Sequence, residues 1–254
     1  MAALLLLALP LLSTAAGASA IRFHRAAADW GVDFRHHNAA SGRRYMVETM
    51  VGGVVVFDYD GDGDEDLFFV DGGALPGYTG EPVRSRLFRN DGGHFTDWTE
   101  RSGIKLQSYG MGGTAGDVDG DGDLDLYVTT FNGPNQLFRN NGDGTFTDVT
   151  AKSGLNDPLW SSSAAFADVD NDGDLDLYVA NYVDFNVANN KLCGDEKRKV
   201  KAYCHPDVYN PLTHHFYRNR GDGTFEDATR SAGFGELVGP GLGVVFGDVD
   251  NDGW

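Results

Sequence analysis

Residues 117–126 read Asp-Val-Asp-Gly-Asp-Gly-Asp-Leu-Asp-Leu, so five carboxylates alternate with small or apolar residues and lead into an apolar run. The same register returns at 58–67 (Asp-Tyr-Asp-Gly-Asp-Gly-Asp-Glu-Asp-Leu) and at 168–177 (Asp-Val-Asp-Asn-Asp-Gly-Asp-Leu-Asp-Leu). It begins again at 248–254 (Asp-Val-Asp-Asn-Asp-Gly-Trp), where the sequence stops. Like charges at this density repel one another and raise each other's pKa values. A hard divalent cation removes the conflict, because calcium takes about six to eight oxygen ligands from flexible carboxylates and carbonyls. A tightly curled loop turns Asp117, Asp119 and Asp121 inward together; Gly122 permits the sharp turn after the third ligand. Asp123 offers its backbone carbonyl, and Asp125 a closing carboxylate. In the same register the expected calcium ligands are Asp58, Asp60, Asp62, Asp64 and Asp66 in the first copy, and Asp168, Asp170, Asp172, Asp174 and Asp176 in the third. Asp248, Asp250 and Asp252 make a partial fourth site.

An EF-hand loop begins in the same way, but it needs a bidentate Glu at its twelfth position and a flanking helix on each side. Counted from Asp58, Asp117 and Asp168, the twelfth residues are Phe69, Val128 and Val179. Each lies in a β-type run (67–70, 126–130 and 177–180), so the loops join strands and the EF-hand is rejected.

The chain around the loops repeats too. Runs at 53–57, 113–116 and 163–167 lead into a loop, and runs at 67–70, 124–130 and 175–181 leave it. Strands at 86–89 and 94–99, at 136–139 and 145–150, and at 215–218 and 224–229 then pair across turns rich in Asn and Gly, residues that supply the positive φ a tight hairpin requires. Each unit is four short antiparallel strands in roughly fifty residues, the size of one propeller blade. The expected fold is all-β: a β-propeller of four-stranded antiparallel blades, with units at about 51–103, 104–154, 155–233 and a partial 234–254 whose first strand is 241–247. Phe23 and Gly31 share the separation of Phe95 and Gly103, Phe146 and Gly154, and Phe225 and Gly233. Residues 21–32 therefore look like the end of a repeat without its beginning. Phe88, Phe138, Tyr217 and Trp98 recur at equivalent places and are read as core packing.

Asp168 to Asp248 spans 80 residues where Asp117 to Asp168 spans 51, so the third unit carries an insertion, placed at 183–214. It holds Cys193, Cys204 and the basic run Lys197-Arg198-Lys199-Val200-Lys201. The plainer reading is a surface loop held by a disulfide and solvated by its lysines. The functional one is a recognition loop whose positive patch meets an acidic partner, since long loops on rigid scaffolds carry binding. Two free thiols, or a zinc site from Cys193, Cys204 and His205 lacking a fourth ligand, are the alternatives to a Cys193–Cys204 disulfide.

A net charge of −18 argues against nucleic acid and anionic membrane surfaces as partners, and three bound calcium ions would bring it to −12. Residues 1–20 carry no charged side chain, and an apolar run at 4–12 precedes Ala18-Ser19-Ala20. This reads as a secretory signal peptide, leaving 21–254 as the mature chain, secreted to an extracellular or periplasmic space, with no transmembrane segment. His36-His37 and His214-His215 lack metal-ligand spacing and read as polar loop or strand-end residues. No nucleophile elbow or phosphate loop is present, and no catalytic residue is nominated.

The acidic loops and the Leu-Phe-Arg-Asn-Asn-Gly-Asp-Gly-Thr-Phe hairpin at 137–146 resemble FG-GAP/VCBS-type repeats, related to those of integrin α-chain propellers. The stretch 45–60 and Tyr203-Cys204-His205-Pro206 are similar to bacterial cartilage-acidic-protein-like proteins. That resemblance implies an exported propeller of about seven blades, with calcium at the loop positions named above. Such proteins often end in an ASPIC/UnbV-type domain; the sequence stops inside its fourth loop, as expected of a C-terminally truncated fragment. The expected function is a protein- or glycan-binding adhesion scaffold in which calcium is structural. The alternative is a non-catalytic propeller part of a larger exported carbohydrate-active or oxidative enzyme.

Overall fold

The computed structural model describes residues 25–50, 52–195 and 197–250. The apolar leader at 1–20 and Asp252 lie outside the described residues. Three four-stranded antiparallel sheets follow one another along the chain. The first is β1 (Val54–Phe57), β2 (Asp66–Phe69), β3 (Arg86–Asn90) and β4 (Phe95–Asp97). The second is β5 (Tyr109–Gly116), β6 (Asp125–Phe131), β7 (Gln136–Asn140) and β8 (Phe146–Asp148). The third starts with β9 (Ser161–Ala167) and β10 (Asp176–Asn181). The chain then forms β11 (Cys193–Asp195), β12 (Val200–Ala202) and β13 (Leu212–Thr213), and completes the sheet with β14 (His215–Asn219) and β15 (Phe225–Asp227). Each sheet has its strands in chain order, the all-β blade pattern expected from the sequence.

The sheets stack face to face, with β1 against β5 and β5 against β9. Strand alternation sorts the side chains between the two interfaces. Leu126, Val128 and Phe138 join Val55, Phe57, Phe68, Val70 and Leu87 between the first and second sheets. Their neighbours Tyr127 and Leu137 face the other way, toward Ala164, Leu177, Val179, Tyr217 and Phe225 of the third. A sheet covered on both faces needs both alternate sets apolar, which is why β6 is buried from end to end and reads as a continuous run.

The outer strands of the first two sheets end in a short helical turn that a strand reading of 94–99 and 145–150 misses: α1 (Thr99–Ser102) and α2 (Thr150–Ser153). The motif Phe-Thr-Asp-x-Thr explains the switch. Asp97, Asp148 and Asp227 accept the backbone N–H of Thr99, Thr150 and Thr229 at 3.0, 3.0 and 2.9 Å. Those threonine hydroxyls in turn accept the N–H of Leu87, Leu137 and Phe216. The turn ends at a left-handed glycine, Gly103 or Gly154. A Cβ there would lie 3.3 Å from the Phe146 carbonyl oxygen and 2.6 Å from that of Phe225, so each glycine marks a close approach of one unit to the next. Gly31 (φ +89°) meets the Phe95 carbonyl in the same way, and Phe95 donates its N–H to the Trp30 carbonyl. Residues 30–31 therefore meet the first sheet through the same kind of glycine contact, while Phe23, the other residue of that offset, lies outside the described residues.

Two expectations are corrected. Residues 241–247 form no strand; only β16 (Val238–Gly239) does, paired with β13. In every other unit the lead-in strand pairs with the strand after the loop, and no residue beyond 250 is described. The insertion, in turn, is not simply a solvated loop. Tyr182, Val183, Phe185, Cys204 and Tyr209 are buried together with Tyr45, Met46 and Val47, at the end of the sheets marked by Tyr109, Phe131 and Trp160. Tyr109 and Trp160 lie at or just before the start of β5 and β9, whereas the acidic loops follow the ends of those strands. The insertion and the segment before β1 thus form one apolar cap at the end of the sheets opposite the loops. Burying the insertion's aromatic ends outweighs leaving them in solvent, because each large ring contributes on the order of 2–3 kcal/mol. Only the β11–β12 hairpin stands out, closed at its base by the Cys193–Cys204 disulfide, which excludes the free-thiol and zinc alternatives.

Candidate metal centres

The first and second strands of each sheet meet at the acidic loop. Phe57 pairs with Asp66, Gly116 with Asp125 and Ala167 with Asp176, so the fifth Asp of every loop begins the returning strand. The first Asp curls the loop by accepting backbone N–H groups. Asp58 takes those of Asp62 and Gly63, Asp117 those of Gly120, Asp121 and Gly122, and Asp168 those of Asp172 and Gly173, all at 2.8–3.2 Å. The third Asp, at 62, 121 and 172, accepts the N–H two residues on. This curl needs positive φ just after the second Asp: Gly61 and Gly120 supply it at +71°, and Asn171 at +58° replaces glycine in the third loop.

The curl brings carboxylates together. One oxygen from each of Asp58, Asp60 and Asp62 lies within 4.8 Å of the others, and the same holds for Asp168, Asp170 and Asp172. In the second loop the group so gathered is Asp117, Asp119 and Asp125. Asp248 and Asp250 belong to no such group among the described residues. The fourth Asp faces elsewhere. Asp64 accepts the N–H of Gly92 at 2.8 Å, and the Asp123 and Asp174 carboxylates lie against Gly142 and Gly221, where a Cβ would come within 2.7 Å. Those side chains brace the neighbouring hairpin turn, which leaves their backbone carbonyls as the donors available to the loop.

The fifth Asp is the most buried: Asp66 and Asp125 are inaccessible and Asp176 nearly so. Each accepts the N–H of the asparagine that ends the next strand of its sheet, Asn90, Asn140 or Asn219, at 2.7–2.9 Å. Asp66 and Asp125 also accept the N–H of Tyr59 and Val118 inside their own loops. Burial pushes the Asp66 carboxyl up to about 6 and Asp125 up to about 7, against an ordinary 3.8, and raises Asp176 as well. Burial, and then the next carboxylate in the loop, also raises Asp60 and Asp119. Three oxygens in this setting, Asp119 Oδ1, Asp170 Oδ1 and Asp176 Oδ2, are buried with no hydrogen-bond partner. An orphaned, buried carboxylate oxygen is costly, and an all-oxygen donor set with such orphans fits a hard cation such as calcium.

Sequence reasoning passed over the arginine of the repeated Phe-Arg-Asn, which is Tyr-Arg-Asn in the third unit. Arg89 and Arg139 approach the second carboxylate, Asp60 and Asp119, at 3.9 and 4.0 Å, and Arg218 pairs with Asp170 at 3.1 Å. Its recurrence immediately before the Asn that opens each hairpin turn is the signal that could have found it. Trp98 packs against the core of the first two sheets, as read, but is only partly buried and also carries the guanidinium groups of Arg89 and Arg101 over its ring, each 4.4 Å from the centre. The paired histidines lie away from the loops. His36 and His37 both reach Asp71, while His215 reaches Asp157 at 2.6 Å and His214 accepts the Asn181 N–H.

The FG-GAP-like repeat model matches residues 58–128, 117–179 and 206–254. Cartilage acidic protein 1 of Homo sapiens is 34% identical over 87 residues, which is 34% of this chain and 13% of that protein. The Mus musculus protein of the same name is 33% identical over 87 residues, 34% of this chain and 14% of that protein. The matched stretch thus spans about one eighth of these curated relatives. A solved structure of an Agrocybe aegerita lectin, described as recognising non-reducing terminal N-acetylglucosamine, aligns at TM-score 0.28 and 19% identity over 67% of this chain and 50% of its own, too distant to carry an argument. The repeats matched along most of the chain, formed as four-stranded antiparallel sheets around recurring Asp loops, make this chain a member of the FG-GAP-like repeat family.

Proposed function

We propose that the chain is a calcium-stabilised, non-catalytic propeller scaffold that acts outside the cytoplasm and presents a binding surface to a protein or glycan. The observation that carries this reading is the convergence of three carboxylates in each loop, with buried orphan oxygens on Asp119 and Asp170. Calcium would be held by Asp58, Asp60, Asp62 and Asp66, by Asp117, Asp119, Asp121 and Asp125, and by Asp168, Asp170, Asp172 and Asp176, with the backbone carbonyls of Asp64, Asp123 and Asp174. When bound it cancels carboxylate repulsion and pins two strands of each sheet; the chain's own residues curl the loop and hold its oxygens.

The β11–β12 hairpin supports the binding role. Its tip exposes Lys197, Arg198, Lys199 and Lys201 on a protein of net charge −18, and Leu192 and Val200 stand beside them, 78% and 54% exposed. A disulfide-closed basic element at the end away from the acidic loops suits an acidic partner. Export is supported by the disulfide and by the apolar leader of the sequence. No helix among the described residues is long and apolar enough to cross a membrane.

The test is calcium titration of the full chain by calorimetry, with thermal unfolding in calcium and in excess chelator. The expected result is binding of several ions and a lower midpoint in chelator. At free calcium about a hundred times Kd, each occupied site adds about 2.7 kcal/mol. An unchanged midpoint and no binding heat would overturn the proposal.

A further inference from the structure

Each asparagine that ends β7 and β14 belongs to two loops at once. Asn140 donates its side-chain amide to the Tyr59 carbonyl at 2.7 Å, in the loop of the first sheet, and to Leu124 at 3.2 Å, in the loop of its own sheet. Its backbone N–H holds Asp125 Oδ1 at 2.8 Å. Asn219 repeats the arrangement one unit later: its amide reaches the Val118 carbonyl at 2.9 Å and Leu175 at 3.1 Å, and its N–H holds Asp176 Oδ1 at 2.9 Å. The two brackets join through the second loop, because Val118, whose carbonyl takes Asn219, donates its own N–H to Asp125 Oδ2 at 3.1 Å. One unbroken path therefore runs from Tyr59 through Asn140, Asp125, Val118 and Asn219 to Asp176. All five of its links are between buried groups; Tyr59, Val118, Asn140 and Asn219 are each under 5% exposed.

Asn90 supplies the contrast. It ends β3 and bonds its own loop at Glu65, and among the described residues its side-chain amide bonds no other loop. The second amide bond of Asn140 and Asn219 is thus a contact between units. A buried amide that loses a partner costs more than an exposed one, so a shift of one loop backbone is felt by the asparagine and by the carboxylate it holds.

We propose that Asn140 and Asn219 are positioning residues that couple calcium binding between adjacent loops, so that filling one loop preorganises the next. The claim rests on the calcium reading above and adds to it that the sites do not bind independently. Ion–ion repulsion acts in the opposite sense, since a filled site beside an empty one disfavours the second cation. Positive coupling is therefore diagnostic of the hydrogen-bond path.

The experiment is calorimetric titration of the full chain with calcium alone, in about 0.5 M salt so that charges beyond a few ångströms are screened. The parent is expected to bind more steeply than independent sites allow. N140A and N219A are expected to keep the number of ions while the curve flattens toward independent binding and the later ions bind about fivefold more weakly, as the loss of one buried hydrogen bond implies. Circular dichroism in calcium checks that they fold. D121N is the second arm and leaves both asparagines in place. Disabling the middle loop is expected to weaken the remaining ions about fivefold, and combining it with N140A and N219A to add little more. Independent steps in the parent, or full steepness in folded N140A and N219A, or unweakened remaining sites in D121N, would overturn the coupling while leaving calcium binding intact. No binding in the parent would overturn the calcium reading itself.

Discussion

Replacing Asp125 with Asn should change sign in its effect on stability according to whether calcium is present. Asp125 is inaccessible to solvent, its two oxygens take the N–H groups of Asn140 and Val118, and burial pushes its carboxyl up to about 7 in the metal-free chain. The sign follows from proton linkage. The folded state holds the proton more tightly than the unfolded chain, so this group's contribution is full below the unfolded value of 3.8 and is lost as pH rises through about 7. Between pH 5 and pH 8 that loss amounts to about 3 kcal/mol, at about 1.4 kcal/mol per pH unit over the interval below the folded pKa. Asparagine resembles the protonated acid and does not titrate. In chelator, the margin of D125N over the parent is therefore expected to grow by about 3 kcal/mol between pH 5 and pH 8. In saturating calcium the order reverses, because the ion keeps the carboxylate charged and the amide is a poorer ligand. Urea unfolding at both pH values, with calcium and with chelator, reads this directly. A D125N effect of the same sign and size in calcium and chelator would refute the reasoning.

The close approach of successive units gives a second prediction. Gly154→Ala meets both a φ of +85° and the Phe225 carbonyl, and is expected to cost about 2 kcal/mol or more in urea unfolding. Gly233→Ala, at φ +87° with open space around it, should cost only the conformational part, about 1 kcal/mol; equal costs would deny the inter-unit contact. Replacing Cys193 and Cys204 with serine opens a loop of sequence separation 11, and is expected to weaken the hairpin by about 2–3 kcal/mol. Hydrogen exchange should quicken over residues 193–202 and stay slow in β6; uniform change across the chain would contradict a hairpin that stands apart from the sheets.

Much of the blade pattern was legible because its causes are local. An Asp that accepts N–H groups four and five residues on, a glycine where φ must be positive, and strands that alternate with period two are all written in neighbouring positions. The unit length, the strand order and the loop register follow from these. The helical turns after β4 and β8 were missed for a local reason as well, since the Thr of the motif was read as strand-forming when its hydroxyl serves to take the N–H of a strand edge.

What only the tertiary structure decided depends on residues far apart in the chain. Tyr59 and Asn140 are separated by 81 positions, and Val118 and Asn219 by 101, so no spacing rule reveals that they bond. The same is true of the insertion. Its lysines and its cysteine pair were visible, but Tyr203 reaches Glu48 across 155 residues, and with that contact the insertion becomes half of an apolar cap. Alternating carboxylates with glycine among them set a loop that curls onto its own N–H groups, because those bonds join residues only a few positions apart. Which groups support that curl from the next sheet is set by packing, which answers to shape and burial in space and not to order in sequence.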